Sequence, residues 1–241
     1  LVDAIGNNLD NLINNVPEPY RKDAAALPVA TDFTLTGATV NVPGTEKKAQ
    51  VGNLTWICHN LWLQYRFSMD ESILRNTLYP TLRRAVNFYL PFLTEDKSGK
   101  LHLKRTYSPE YGTAEDCNYD IALLRWGCNT LLEASRILSV DDELIPRWKQ
   151  VAEYLTDYPQ DENGMMIGKD VPFSRSHRHY SHLLMFYPLY LLNAEQNGSK
   201  ELMEKSVEHW HSLPGNILGY TYTGASSLYA AFGEGDKALE K

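Results

Sequence analysis

The sequence predicts an all-α fold of helix–loop–helix units, a toroid or bundle rather than an α/β sheet. Three observations carry that expectation. Apolar residues recur at helical spacing through most of the chain, giving about eight helices and almost no convincing strand. Every other connection is long, which would gather the loops on one rim, where sites usually sit. No repeat of fixed period is visible, which disfavours a solenoid.

Taken in order, Leu1, Ile5, Leu9, Leu12 and Ile13 predict a helix, or the end of one, over residues 1–15. Pro17, Pro19, Pro28, Gly37, Pro43 and Gly44 then break periodic structure over 16–51, where TDFTLTGATVNVP reads as short strands or an extended loop. From Asn53, the residues Leu54, Ile57, Cys58, Leu61, Trp62 and Tyr65 form one apolar stripe. SMDES is a turn with Asp70 as N-cap, and Leu74 to Leu93 continue as a second long helix. EDKSGK is a polar turn and LHLKRTYSPEYGTAEDC a loop. Helices are expected at 118–138 and 144–158, then a second long loop, then helices at 179–194, 199–212 and 223–232.

The composition bounds the function. With 241 residues, 43% hydrophobic and 22% charged, the chain can bury the core of one large domain or two small ones. Its formal charge is −7, the signs are interspersed and no Lys/Arg stripe exists, which argues against nucleic acid or an anionic membrane as partner. Fifteen Tyr and five Trp suit either a sugar site, where flat rings stack on C–H faces, or an aromatic core. Cys58, Cys117 and Cys128 are an odd number without CxxC spacing, so neither a disulfide framework nor a zinc ribbon is expected. No apolar run reaches the length of about 18 residues that a membrane span needs. The chain opens on LVDAIGNN without Met or a leader and ends inside a helical pattern, so both ends are expected to be cut from something longer.

Chemistry concentrates in two loops and one helix. RTYSPEYG (105–112) presents one carboxylate, Glu110, behind a rigid Ser-Pro and between Tyr107 and Tyr111. Flanking rings can desolvate a carboxyl, and desolvation favours the protonated form that a general acid uses. The competing reading is a surface acid beside two tyrosines. SRSHRHYSHLL holds His177, Arg178, His179 and His182. A metal helix would favour i, i+4 spacing with an intervening Glu, whereas His179 and His182 stand at i, i+3, so no metal site is expected. A hydrogen-bonding cluster around the Arg178 fork is the better reading, with a purely structural cluster as its rival. In NLTWICHNLWLQY, Trp56 and His59 can face a cavity while Leu54, Ile57, Leu61 and Trp62 face the core; a core Trp with a satisfied His is the alternative. No GxxxxGK[ST], GxGxxG or GxSxG motif occurs, and no cofactor is expected.

In order, WICHNLWLQYRFSMDESILRNTLYPTLRRAVNFYLPFL, YSPEYG, HRHYSHLLMFYPL and GYTYTGASSLYAAFGEGDKALE resemble glycoside hydrolase family 95, mostly α-L-fucosidases with some α-L-galactosidases. The resemblance runs from about residue 50 to the C-terminus. It implies an (α/α)6 barrel of helical hairpins whose loops form a sugar pocket, inverting hydrolysis of oligosaccharides, and Glu110 as general acid. It further implies that Trp56 and His59 lie near the pocket and that Arg178 and His179 bind sugar hydroxyls, with Tyr107, Tyr111, His177 and His182 around them. The chain departs from the family pattern at Tyr111, where Asn or His is usual. In the family, a pair of asparagines upstream and an Asp downstream activate water, and neither segment is expected within these residues. Residues 1–241 are therefore expected to be part of such a barrel, a helix end plus long loop over 1–52 and helical hairpins over 53–241. Catalysis by the isolated chain is not expected. The rivals are a non-catalytic carbohydrate-binding relative and an (α/α)6 enzyme for another sugar. Family members are commonly exported by bacteria, so the resemblance implies a periplasmic or extracellular location.

Overall fold

The computed structural model describes residues 1–241, the whole sequence, as helices joined by long loops and small hairpins. No helix is long and apolar enough to cross a membrane. The chain divides into two compact units, Leu1–Thr106 with Leu123–Thr156, and Tyr107–Ala122 with Asp157–Lys241.

In the first unit the opening helix is broken into α1 (Val2–Gly6) and α2 (Leu9–Asn14). Gly6, Asn7 and Asn8 are poor helix formers, and the chain takes the break there. The following loop carries only a single Thr31–Gly37 bridge and no full strand. One buried side chain gathers much of it. Asn15 donates from Nδ2 to the Leu35 carbonyl (2.8 Å) and accepts from the Gly37 amide (3.1 Å), while its own carbonyl takes the Val40 amide (2.8 Å). Buried amides of this kind are held because an unpaired one would cost a hydrogen bond.

α3 (Asn53–Ser68) buries the predicted stripe. Asp70 caps the next segment as expected, accepting from the Ser72 amide at 2.9 Å. The single long helix expected after it is instead α4 (Glu71–Ile73), a π-helical turn over Leu74–Leu78, and α5 (Tyr79–Asn87). Pro80 explains the change: it lacks an N–H and its ring crowds the carbonyl four residues back, so the ladder slips and the Tyr79 amide reaches Leu74. A second correction concerns residues read as helix end and loop. Leu93–Glu95 (β1) pairs antiparallel with Leu101–Leu103 (β2), in the register Leu93–Leu103, and EDKSGK is the turn between them. From Leu123 onward α6 (Asn118–Leu138) packs against α3 and α5. Gly127 allows the approach, since a Cβ there would sit 2.6 Å from Val86 Cγ2. α7 (Ile145–Tyr154) is tied back by Trp148, whose indole N–H donates to Asn87 Oδ1 (3.3 Å). Asp142 receives Arg83 Nε at 2.7 Å and the Tyr79 hydroxyl at 3.1 Å, a part-buried cluster that joins α5 to the loop before α7.

The second unit contains the hairpin of β3 (Thr106–Ser108) and β4 (Gly112–Ala114), also read as loop from the sequence. A smaller hairpin, β5 (Gln160–Asp161) and β6 (Gly164–Met165), follows in the second long loop. Asn118, opening α6, holds that loop: its amide donates to the Ile167 carbonyl (2.8 Å), and its side-chain Nδ2 to those of Met166 (2.7 Å) and Pro159 (2.9 Å). The helix expected at 179–194 is absent, leaving one 3-10 turn at Ser181–Leu183. Tyr180 to Phe186 are buried without interruption, and Pro188, which restricts the residue before it and lacks an N–H, follows. The helices α8 (Ser199–Ser212), α9 (Gly219–Ala231) and α10 (Gly235–Leu239) complete the unit.

Candidate active site

Ser108-Pro109-Glu110-Tyr111 is the tight turn of the β3–β4 hairpin. The Tyr111 amide donates to the Ser108 carbonyl at 3.1 Å, closing a β-turn with proline second and Glu110 third. Glu110 has φ 56°. Proline at the second position with positive φ at the third is the pattern of a type II turn, which usually places Gly or Asn where this chain has glutamate. A side chain carried there costs about 1–2 kcal/mol of backbone strain. Strain retained at a polar, exposed position points to function.

The segment 173–182 underpins this turn. Ser108 and Ser181 share a buried hydroxyl–hydroxyl bond of 2.8 Å. His177 Nε2–H donates to the Pro109 carbonyl at 3.0 Å. The Tyr111 hydroxyl accepts from the amides of Ser174 (2.7 Å) and Arg175 (3.2 Å), while the Arg175 guanidinium lies 4.5 Å over the same ring and donates to the Tyr111 carbonyl. Phe173 stacks on Tyr111 with ring centroids 5.2 Å apart. Helices behind hold the segment in turn: Trp210 on α8 donates its indole N–H to the His177 carbonyl (2.7 Å), and Thr221 on α9 donates its hydroxyl to that of Arg178 (3.1 Å).

Two cationic or polar groups converge on the acid. Arg178 reaches Glu110 Oε2 at 2.5 Å and His179 Nε2 lies 3.6 Å from the same oxygen. The carboxylate side chain is 50% exposed and that of Arg178 42%. The flanking tyrosines therefore do not enclose the carboxyl. Tyr111 is buried in the support just described, and Tyr107 is half-buried on β3. Burial lowers the basicity of His179, and the Arg178 charge adds to that while Glu110 opposes it. Burial likewise lowers His177. His182 is buried to 1% exposure with its ring stacked on Phe173 at 4.3 Å. Burial pushes its value down to about 3, helped by His177 and His209 nearby. All three rings are thus mainly neutral near pH 7.

The structure thus brings Tyr107, Glu110, Tyr111, His177, Arg178, His179 and His182 together within one unit, with Glu110, Arg178 and His179 toward solvent and Tyr111, His177 and His182 beneath. Trp56 and His59 belong to the other unit. Trp56 borders an open cavity of about 260 Å³ with Pro28, Gln50 and Ile57, and His59 is buried edge-on against Trp126 at 5.2 Å. Ile57, expected in the core, lines that cavity instead. Sequence reasoning missed Tyr220. Its ring is 44% exposed and packs edge-on to His179 at 5.4 Å, adding an aromatic surface beside the acid. It also missed Arg175, Ser181, Trp210 and Thr221, whose supporting contacts span up to 73 residues of sequence and leave no local signal. No group of three or more His, Cys, Asp or Glu side chains is arranged to hold a metal ion.

Over residues 12–241 the sequence matches the glycosyl hydrolase family 95 catalytic domain. It is 29% identical over 167 residues to alpha-L-fucosidase 2 of Arabidopsis thaliana, an alignment that covers 64% of this chain and 20% of that protein. It is 25% identical over 174 residues to probable alpha-fucosidase A of Aspergillus niger, covering 64% and 21%. The chain spans about a fifth of the length of these curated relatives.

Proposed function

The chain belongs to glycosyl hydrolase family 95, and from that premise we propose that it carries the proton-donating half of an inverting α-L-fucosidase site, with Glu110 as general acid. The observation that carries this reading is the convergence of Arg178 and His179 on one oxygen of a carboxylate held at φ 56° on a proline turn. Family membership supplies the sugar chemistry, and the names of both relatives supply the fucoside.

In this reading the terminal sugar enters beside Glu110. Its hydroxyls take over the donors that Arg178 now offers to the carboxylate, and the rigid guanidinium fork fixes their direction. Neutral His179 serves as a second hydroxyl partner, and the exposed Tyr220 ring borders the sugar's apolar face. Glu110 then gives its proton to the glycosidic oxygen as the bond to the anomeric carbon breaks. Tyr107 flanks this approach. Tyr111, His177 and His182 hold the turn from below.

Inversion requires a water on the opposite ring face and a base about 6.5–9.5 Å from the acid. That base is proposed to lie outside residues 1–241, in the remainder of an (α/α)6 barrel of which this chain forms a part, so the isolated chain should turn over little substrate. The test is proton NMR of the full-length protein acting on an α-L-fucosylated oligosaccharide. The first-formed product should be β-L-fucose. First appearance of α-L-fucose, or release of a different sugar alone, would overturn the assignment.

A further inference from the structure

We infer that His177 is a positioning residue that locks the acid-bearing turn in its strained form by donating to the Pro109 carbonyl. The inference rests on the reading of Glu110 as the acid and explains how a glutamate is kept where glycine is usual.

Type I and type II turns have the same first and last residues and differ by a flip of the central peptide. Here that peptide is the one between Pro109 and Glu110. Flipped one way, its carbonyl is part of a type I turn and the third residue has an ordinary negative φ. Flipped the other way, the third residue has positive φ, as Glu110 does. Left alone, a glutamate favours the first form because its Cβ resists the left-handed region. The proline at the second position is compatible with both, so Pro109 does not decide the matter.

The flip reverses the Pro109 carbonyl together with the Glu110 N–H, and the carbonyl is the group His177 binds, at 3.0 Å. The imidazole is well placed to impose that direction. It is 7% exposed, edge-on to Tyr111 at 5.5 Å and stacked on His179 at 4.9 Å. Its backbone is fixed by the Trp210 indole. Because Nε2–H is already given to Pro109, His177 is not a sugar-binding donor through that nitrogen. Burial keeps the ring neutral, and the acceptor fixes the tautomer with the proton on Nε2. The bond to the carbonyl and the strain at Glu110 are of the same order, so removing the donor tips the peptide toward the type I form and re-aims the carboxylate.

The test uses His177→Phe, which removes the donor, and His177→Gln, whose amide can replace Nε2–H. On the 241-residue chain, NMR should show a strong Pro109 Hα to Glu110 amide-proton contact in the unaltered protein and in His177→Gln. In His177→Phe that contact should weaken and a contact from the Pro109 Hδ protons to the Glu110 amide proton should grow. In the full-length protein, His177→Phe should lower kcat on a fucosylated oligosaccharide by about 100-fold, as expected for an acid displaced by roughly 1 Å. KM should stay within about 2-fold, and His177→Gln should recover most of the rate. An unchanged turn in a folded His177→Phe chain, or a rise in KM with kcat intact, overturns the inference. If His177→Phe does not fold, His177→Met, which also lacks a donor, is read in its place: a relaxed turn supports the inference and an unrelaxed one overturns it. Glu110→Gln in parallel separates the two ideas. Full activity in that variant sinks the acid assignment, whereas the turn contacts of the His177 variants report on the lock regardless.

Discussion

Replacing Glu110 by glycine and, separately, by alanine isolates the backbone strain at the acid. Both variants lose the carboxylate and its contact with Arg178, so those terms cancel between them. They differ in one Cβ. At φ 56° that Cβ costs about 1–2 kcal/mol. Against this, glycine has more freedom to lose from the unfolded chain, about 0.5–1 kcal/mol. At the mid-points of the two ranges the glycine variant is more stable by about 0.75 kcal/mol, the reverse of the order at an ordinary turn residue with negative φ. For a chain of this size that is roughly 2 °C in Tm. Urea and thermal unfolding of the two variants side by side measure it. An alanine variant as stable as the glycine variant, or more so, refutes the claim that the turn holds its acid under strain.

Two further expectations concern the support of the site. His182 is held neutral by burial, with a folded value of about 3 against 6.5 for the free side chain. A base with a depressed folded value contributes its stability above pH 6.5 and loses it as pH falls from 6.5 toward 3, because the unfolded chain takes up the proton first. At pH 4.5 the loss from this ring is on the order of 3 kcal/mol. His177, His179 and His211, also lowered by burial, add to the same trend. His182→Leu should therefore shrink the difference between unfolding curves at pH 7 and pH 4.5 without abolishing it, and an unchanged difference contradicts the burial argument. Gly224 on α9 lies against Tyr180, where a Cβ would stand 2.5 Å from the ring carbons. Gly224→Ala gains about 1 kcal/mol of helix propensity but overpacks by about 1–3 kcal/mol, so a net loss of about 1 kcal/mol should appear in urea unfolding, together with a shift in tryptophan emission as Trp210 moves.

Most helices with a face toward water were legible, although α7 stops at Tyr154 short of the expected 158 and α9 begins at Gly219, before the expected 223. α3, α6 and α8 keep the predicted limits to within a residue or two, α3 and α8 because apolar stripes alternate with polar ones along their length and α6 because Asn129, Glu133 and Arg136 mark an exposed face in its second half. The segment 179–194 misleads because its apolar spacing mimics a helix. Burial of Tyr180 to Phe186 does not by itself exclude one, since α6 is equally buried from Asn118 to Leu124; the local signal against a helix is Pro188, which also restricts the residue before it. β1 to β4 are three residues each, too short for alternation to be counted, and their pairing is set by turns such as Ser-Pro-Glu-Tyr. Pro80 was visible, but its resolution as a π-helical turn depends on packing along α5. At the site, Glu110, Arg178 and His179 stood out as polar groups in two loops, and the structure places those loops together. What the sequence could not give was depth. His177 and Arg178 are neighbours in the chain, yet one supports the turn and the other faces the acid, a division made by Trp210 and Thr221 on distant helices.

The central claim is that Glu110 gives a proton to the departing oxygen. The most direct measurement compares Glu110→Gln with the unaltered full-length protein on two substrates, a fucosylated oligosaccharide whose leaving group needs protonation and L-fucosyl fluoride, which departs without it. The account predicts a loss of about 10²–10⁴-fold on the oligosaccharide and a far smaller loss on the fluoride. Equal losses on both, or full activity on the oligosaccharide, would contradict it.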